Sequence, residues 1–209
     1  MQVNKEHYDF FKYVDPQRWA SYYFQIYEAV DETTCNSILI IGKGDGIVPD
    51  MIKNCVEKEL IVDTFDFDPE LEPTYVGDIK DLSNIVTKQY DIVICCQVLE
   101  HLEWKYFKGI VKQLHQISKK RVIISLPVCR YSITLTLNLP KLHNKVINLV
   151  IPAIWKKKIK WYGEHYWEVG IQGHTRRDIL SILKKDFIVN KHYYVPQNTY
   201  HWFIILDKL

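Results

Sequence analysis

Three glycines fall within five residues, Gly42-Lys43-Gly44-Asp45-Gly46, directly after four apolar β-formers at 38–41. Pro49 stands just beyond, where a helix can begin. The pattern specifies a buried strand, a tight turn and a helix N-terminus. Glycine accepts positive φ and lets a ligand approach the backbone without a Cβ in the way. A helix start offers free N–H groups and the positive end of its dipole to a carboxylate or phosphate. The chemistry is that of holding a nucleoside-containing ligand. Asp66 ends a second apolar run, about 20 residues past the turn, where an acid can accept from a ribose hydroxyl. Further on, His165, Tyr166, Trp167 and Glu168 stand together outside any periodic pattern, and His174 follows. Such a mixture suits a loop that faces a substrate.

These residues need a scaffold, and the chain supplies an alternation of strands and helices. Residues 17–30 carry Trp19, Tyr22, Tyr23, Ile26, Tyr27 and Val30 at helical spacing, after an Asp15-Pro16 start. Packing on the flank of the domain is the simpler reading of this aromatic helix, with some residues also covering the site. After the glycine turn, a helix is expected at 48–56, strands at 60–67 and 74–76, and a helix at 79–86. The near-continuous apolar run 90–96 reads as a central strand of a parallel sheet. A helix at 102–118 and a strand at 121–126 follow. Thr175, with Asp178 three residues on, caps a helix over 175–185. Strands at 186–195 and 200–206 form an antiparallel pair. The architecture is a doubly wound α/β sheet. Between 128 and 173 the rhythm lapses, with Pro140, Pro152, lysines at 156, 157, 158 and 160, and several aromatics.

The glycine spacing decides between ligands. A dinucleotide turn needs glycine at the sixth position of G-x-G-x-x-G. That position is Ile47 here, and the pattern is G-x-G-x-G. With Asp66, then Gly77-Asp78-Ile79, then Tyr-Asp-Ile-Val-Ile-Cys-Cys-Gln-Val-Leu-Glu-His-Leu at 90–102 in order, the chain resembles the class I S-adenosylmethionine-dependent methyltransferases, and within them the type 11 group. Leu-Glu-His-Leu at 99–102 is the most specific of these matches. The resemblance covers 37–127.

The resemblance implies a seven-stranded, mostly parallel sheet with its last strand antiparallel. It implies S-adenosyl-L-methionine as cofactor. Gly42, Lys43 and Gly44 would pass under the methionine part, and Asp66 would accept from the ribose hydroxyls with Phe67 beside the adenine. Asp78 would receive the adenine amino group near the Ile79 backbone, and Cys96 and Gln97 would lie near the sulfonium. The family usually keeps an acid two residues before the first glycine, and here that place holds Ile40. A methyltransferase-fold protein that binds cofactor or a partner with little or no turnover is therefore the alternative. The turn is also similar to that of the aminopropyltransferases, but those carry an aspartate just after the fourth strand, where this chain has Cys96-Gln97-Val98.

Methyl transfer is an in-line displacement at a sulfonium, served by alignment and desolvation. A hydroxyl acceptor must also lose a proton, and histidine is the usual base. His165 is the first candidate, with His101 and His174 next. In the family the Glu100-His101 pair mostly packs and caps the following helix.

Composition bounds the rest. The 209 residues suit one domain: 1–34 as a helical cover, 37–127 as the cofactor-binding core, 128–174 as a substrate lid, and 175–209 as the closing helix and strand pair. A net charge of +2 argues against a general nucleic-acid binder. The N-terminus has no apolar core of a signal peptide, and no apolar run is long enough to span a bilayer. The five cysteines show no zinc-like pairing, no metal is expected, and a cytoplasmic setting fits. Residues 142–161 mix apolar side chains with the lysine cluster. That segment is a lid or an oligomer contact, or else a peripheral membrane contact that would suit a lipid-linked acceptor. The acceptor is otherwise a small molecule.

Overall fold

The computed structural model describes residues 5–30, 35–55, 59–139, 142–152, 165–171 and 173–209. The α-helices are α1 (Phe10–Tyr13), α2 (Pro16–Val30), α3 (Ile47–Cys55), α4 (Leu82–Ile85), α5 (Trp104–Ile117) and α6 (Arg176–Leu183). The strands are β1 (Ser37–Ile41), β2 (Ile61–Asp66), β3 (Tyr75–Val76), β4 (Tyr90–Cys96), β5 (Ser118–Pro127), β6 (Arg130–Leu139), β7 (Leu142–Pro152), β8 (Phe187–Val195) and β9 (Asn198–Lys208). Seven of them form one sheet in the order β3-β2-β1-β4-β5-β9-β8. From β3 to β5 the pairing is parallel, and β9 runs antiparallel to both β5 and β8. This is the doubly wound, mostly parallel sheet expected, with the last strand reversed.

The burial of β1 explains its sequence. Leu39 and Ile41 face one apolar cluster, built largely with α5, while Ile38 and Ile40 face the other, built with α2 and α3. A strand covered on both faces needs an apolar side chain at every position, so the alternation of a half-exposed strand is missing. The helix signals also hold. Asp15 accepts from the Arg18 N–H at 2.7 Å at the start of α2, and Thr175 and Asp178 close a capping box on α6. The helix expected from 102 begins at Trp104, because Leu99–His101 forms a 3-10 turn of its own.

The irregular lid expected at 128–174 is corrected in part. β6 and β7 form a separate antiparallel ribbon. Tyr131, Ile133 and Leu135 pair with Ile151, Leu149 and Ile147, while Ser132, Thr134 and Thr136 alternate with the first three along β6. A period of two was present in the sequence. The prolines masked it, although Pro140 falls between the strands and Pro152 at the end of one. Most of the ribbon's apolar side chains are exposed, from 37% for Leu137 to 55% for Leu149. The lysine cluster, Trp155 and Trp161 lie outside the described residues. Among the described residues no helix is long and apolar enough to cross a membrane.

Candidate active site

The glycine turn leaves the C-terminal end of β1 and is tied to β2 by the Gly42 N–H, which donates to the Phe65 carbonyl at 2.8 Å. Gly42 has φ 81°, and a Cβ there would sit 2.6 Å from Val98 Cγ2. Only glycine fits this corner. Asp66 ends β2 beneath the turn. One carboxylate oxygen accepts from the Lys43 N–H at 2.8 Å and the other from the Asp68 N–H at 3.2 Å. Burial raises its carboxyl, while the backbone N–H groups of Asp68, Lys43, Gly44 and Phe67 pull it down.

Above these strand ends lies a cavity of about 610 Å³. Gly42, Lys43, Gly44, Asp66, Phe67, Ile79, Cys96 and Gln97 all line it. Asp78 is the member of the expected cofactor set outside that lining. Its carboxylate accepts from the Lys80 N–H at 2.9 Å and pairs with the Lys80 ammonium at 2.8 Å, although Gly77 and Ile79 on either side do line the cavity. Burial pushes the Cys96 thiol up to about 12, so it stays protonated and serves as wall. Ile40 lines the cavity, and Asp45 of the turn lines it too.

The N-terminal segment closes one side. Tyr8, Tyr13, Arg18 and Tyr22 line the cavity, and the Tyr8 ring passes 3.5 Å from where a Cβ on Gly44 would stand. Tyr22 donates its hydroxyl to Asp45 at 2.6 Å. Packing with some residues covering the site is the reading that helical spacing gives for α2. Tyr22 of α2 does both jobs, with its ring buried in the core and its hydroxyl at the site.

The opposite side is polar and is assembled from three segments. The Tyr166 N–H donates to the Glu100 carbonyl at 2.8 Å, which fastens the loop at 165–169 to the 3-10 turn at Leu99–His101. Trp167, fully buried between Trp104 and Phe107, anchors that loop and donates its indole N–H to the Leu102 carbonyl at 3.0 Å. His165 is thereby brought beside His101, with ring centroids 4.9 Å apart. Buried Glu168 accepts from Tyr200 at 2.6 Å and sits 3.1 Å from His165 Nδ1. Glu100 is fully buried, and among the described residues neither of its carboxylate oxygens has a hydrogen-bond partner. Burial pushes its carboxyl up to about 7, against the pull of the His165 ring. His174 is not brought to the cavity. It stacks on Trp104 at 4.2 Å, where burial lowers its pKa.

His201, on β9, also reaches the site, and no local motif marks it in the sequence. It lines the cavity and is almost wholly buried, its Nδ1 unpartnered. Burial, with the Arg18 charge nearby, pushes its imidazole down to about 3, and Asp15 opposes weakly. The folded state therefore keeps His201 neutral, whereas the unfolded chain takes up a proton below about pH 6.5. Stability from this residue is complete above that pH and is lost as pH falls toward 3, by about 2 kcal/mol at pH 5. Urea unfolding at pH 7.5 and pH 5.0 is expected to show this loss in the wild type. His201→Gln lacks it, so the two proteins' stabilities converge by that amount on acidification.

The sheet order, with its antiparallel β9, is shared with solved structures. The fold is that of the class I methyltransferases. Over 100% of this chain and 89% of the other, it superposes on magnesium protoporphyrin IX methyltransferase from Synechocystis PCC 6803 with a TM-score of 0.61 at 17% identity. A S-adenosylmethionine-dependent methyltransferase from Clostridium acetobutylicum gives 0.60 at 11% identity, over 93% of this chain and 92% of that one. The small RNA methyltransferase HEN1 gives 0.64 at 14% identity, with 92% of this chain covering 25% of that much longer one. No protein-family model and no curated protein sequence matches the chain. In the methyltransferase fold ligands bind at the C-terminal ends of the parallel strands, which is where this cavity lies.

Proposed function

We propose that this protein is an S-adenosyl-L-methionine-dependent methyltransferase. The observation that carries the reading is Asp66, set under a glycine turn in a cavity that also reaches the Glu100–His101–His165 cluster. The cofactor's ribose hydroxyls donate to Asp66, and its methionine part crosses Gly42 to Gly44. Asp45 supplies the acid that Ile40 does not, with Tyr22 holding its carboxylate. The acceptor enters from the polar side. Its nucleophilic atom bonds to the methyl carbon as the carbon–sulfur bond breaks, the electron pair stays on sulfur, and neutral S-adenosylhomocysteine leaves. Alignment and exclusion of water supply most of the rate, and the tyrosine cover and the aromatic anchor at Trp167 serve both. Incubation with methyl-labelled cofactor and a panel of hydroxyl, amine, glycan and lipid-linked acceptors tests the reading. Label transfer to one acceptor class is the expected result. Cofactor binding with no transfer across the panel would favour a non-catalytic binding protein, the alternative that Ile40 motivates.

The ribbon supports an acceptor held at a membrane surface. Tyr131, Ile133, Leu135, Ile147, Leu149 and Ile151 are exposed on one ribbon, and four lysines follow β7 closely in the sequence. Apolar side chains at headgroup depth and lysines on anionic lipid would act together. Co-sedimentation with phosphatidylglycerol vesicles is expected, weakening in high salt and in Ile133→Asp/Leu149→Asp. Equal recovery with neutral and anionic vesicles would remove the lipid reading.

A further inference from the structure

We propose that Glu100, His101 and His165 bind a divalent first-row transition-metal ion at the polar end of the cavity. The proposal rests on reading the cavity as a methyltransferase site, and it names what prepares the acceptor there. Each of the three residues offers one ligand atom, and these atoms lie within 4.8 Å of one another. Ligand atoms about 2.1 Å from an ion sit roughly 3–3.4 Å apart, so small side-chain rotations close the site.

Glu100 gives the strongest reason. Its side chain is fully buried, yet among the described residues neither carboxylate oxygen has a hydrogen-bond partner. A buried carboxylate without hydrogen bonds is costly and rare. A cation between Glu100 and the two imidazoles supplies the missing contact. His165 is also held as a metal-binding histidine is held. Its Nδ1 faces the Glu168 carboxylate at 3.1 Å and the Tyr200 hydroxyl at 3.4 Å, which directs Nε2 to the ligand role. The hydrogen bond from Tyr166 N–H to the Glu100 carbonyl locks the two contributing segments together. The set is therefore rigid in the backbone and oriented in the ring.

The donor types select the ion. Two imidazoles and one carboxylate suit Mn²⁺, Fe²⁺, Co²⁺ or Zn²⁺, whereas Ca²⁺ and Mg²⁺ favour oxygen alone. Three protein ligands leave coordination positions open, and all three residues line the same cavity as Gly42 and Asp66. An acceptor oxygen taking an open position loses its proton to water more readily, and is fixed for in-line attack. His165 thus serves as a ligand in place of the base expected from the sequence. Linear spacing did not reveal the set, because Glu100-His101 and His165 come from segments far apart in the chain.

The test uses the full chain, stripped with chelator and titrated with Mn²⁺ while free Mn²⁺ is followed by electron paramagnetic resonance. One equivalent is expected to bind. Glu100→Gln and His165→Ala weaken binding by about 100-fold or more, and Glu168→Gln by about 10–100-fold through the orientation of His165. His192→Ala, on β8 and outside the cavity lining, leaves it unchanged. Co²⁺ gives a visible spectrum that the first two variants lose. Near-ultraviolet circular dichroism and S-adenosylmethionine affinity in chelator report separately whether each variant is folded. Absence of stoichiometric Mn²⁺ and Co²⁺ binding overturns the proposal, as does binding that survives both Glu100→Gln and His165→Ala. Metal binding without cofactor binding would instead sink the methyltransferase reading and leave the metal site standing.

Discussion

Asp66→Ala is expected to lower the affinity for S-adenosylmethionine by about 100-fold or more. Two hydrogen bonds from ribose hydroxyls to an ionised, water-poor carboxylate contribute roughly 1.5–3 kcal/mol each, and alanine removes both. The same carboxylate accepts from the Lys43 and Asp68 N–H groups, so its loss also leaves buried donors of the turn without partners. Stability should fall too, by about 1–3 kcal/mol in urea unfolding. The two effects are separable. Isothermal titration below the unfolding transition reads the affinity of the folded fraction alone, and unchanged affinity there would refute the ribose assignment.

His165→Ala is expected to cut the methyl-transfer rate by about 10²–10⁴-fold, because the ion it helps to hold is what eases the acceptor's loss of a proton, while cofactor affinity stays within about threefold. The asymmetry follows from position. Asp66 and the glycine turn sit at the ends of β1 and β2, whereas His165 belongs to the loop fastened at Glu100 and Trp167. Glu168→Gln reports on the same side chain indirectly. It keeps the volume but weakens the contact that orients the His165 ring, so it should lower the rate by less than His165→Ala does. Comparable losses of cofactor affinity and rate in His165→Ala would place this histidine in the cofactor half of the cavity instead.

That the glycine turn and Asp66 would meet at one cavity was legible in the sequence, for a physical reason. Gly42, Asp66 and Ile79 stand at the ends of parallel strands, and a buried parallel strand announces itself as an unbroken apolar run. Once the strands were placed, the residues at their ends were placed with them. The acceptor half was legible only as a list of side-chain types. His165 and His174 lie in one polar stretch, yet the first faces the cavity and the second packs on Trp104, and only the fixing of Trp167 between α5 and the loop decides this. His101 reaches His165 through a long-range backbone contact that no local spacing encodes. The ribbon was missed because two prolines outweighed an alternation that was present in β6 residue by residue. The cavity faces of Tyr8, Tyr22 and His201 appear only in three dimensions.

The central claim is that the cavity over Gly42 and Asp66 holds S-adenosylmethionine. Calorimetric titration of the full chain with S-adenosylmethionine tests it most directly. One site is predicted, with product S-adenosylhomocysteine competing for it and Asp66→Ala weakening it by about 100-fold or more. A folded chain that takes up neither compound would contradict the account.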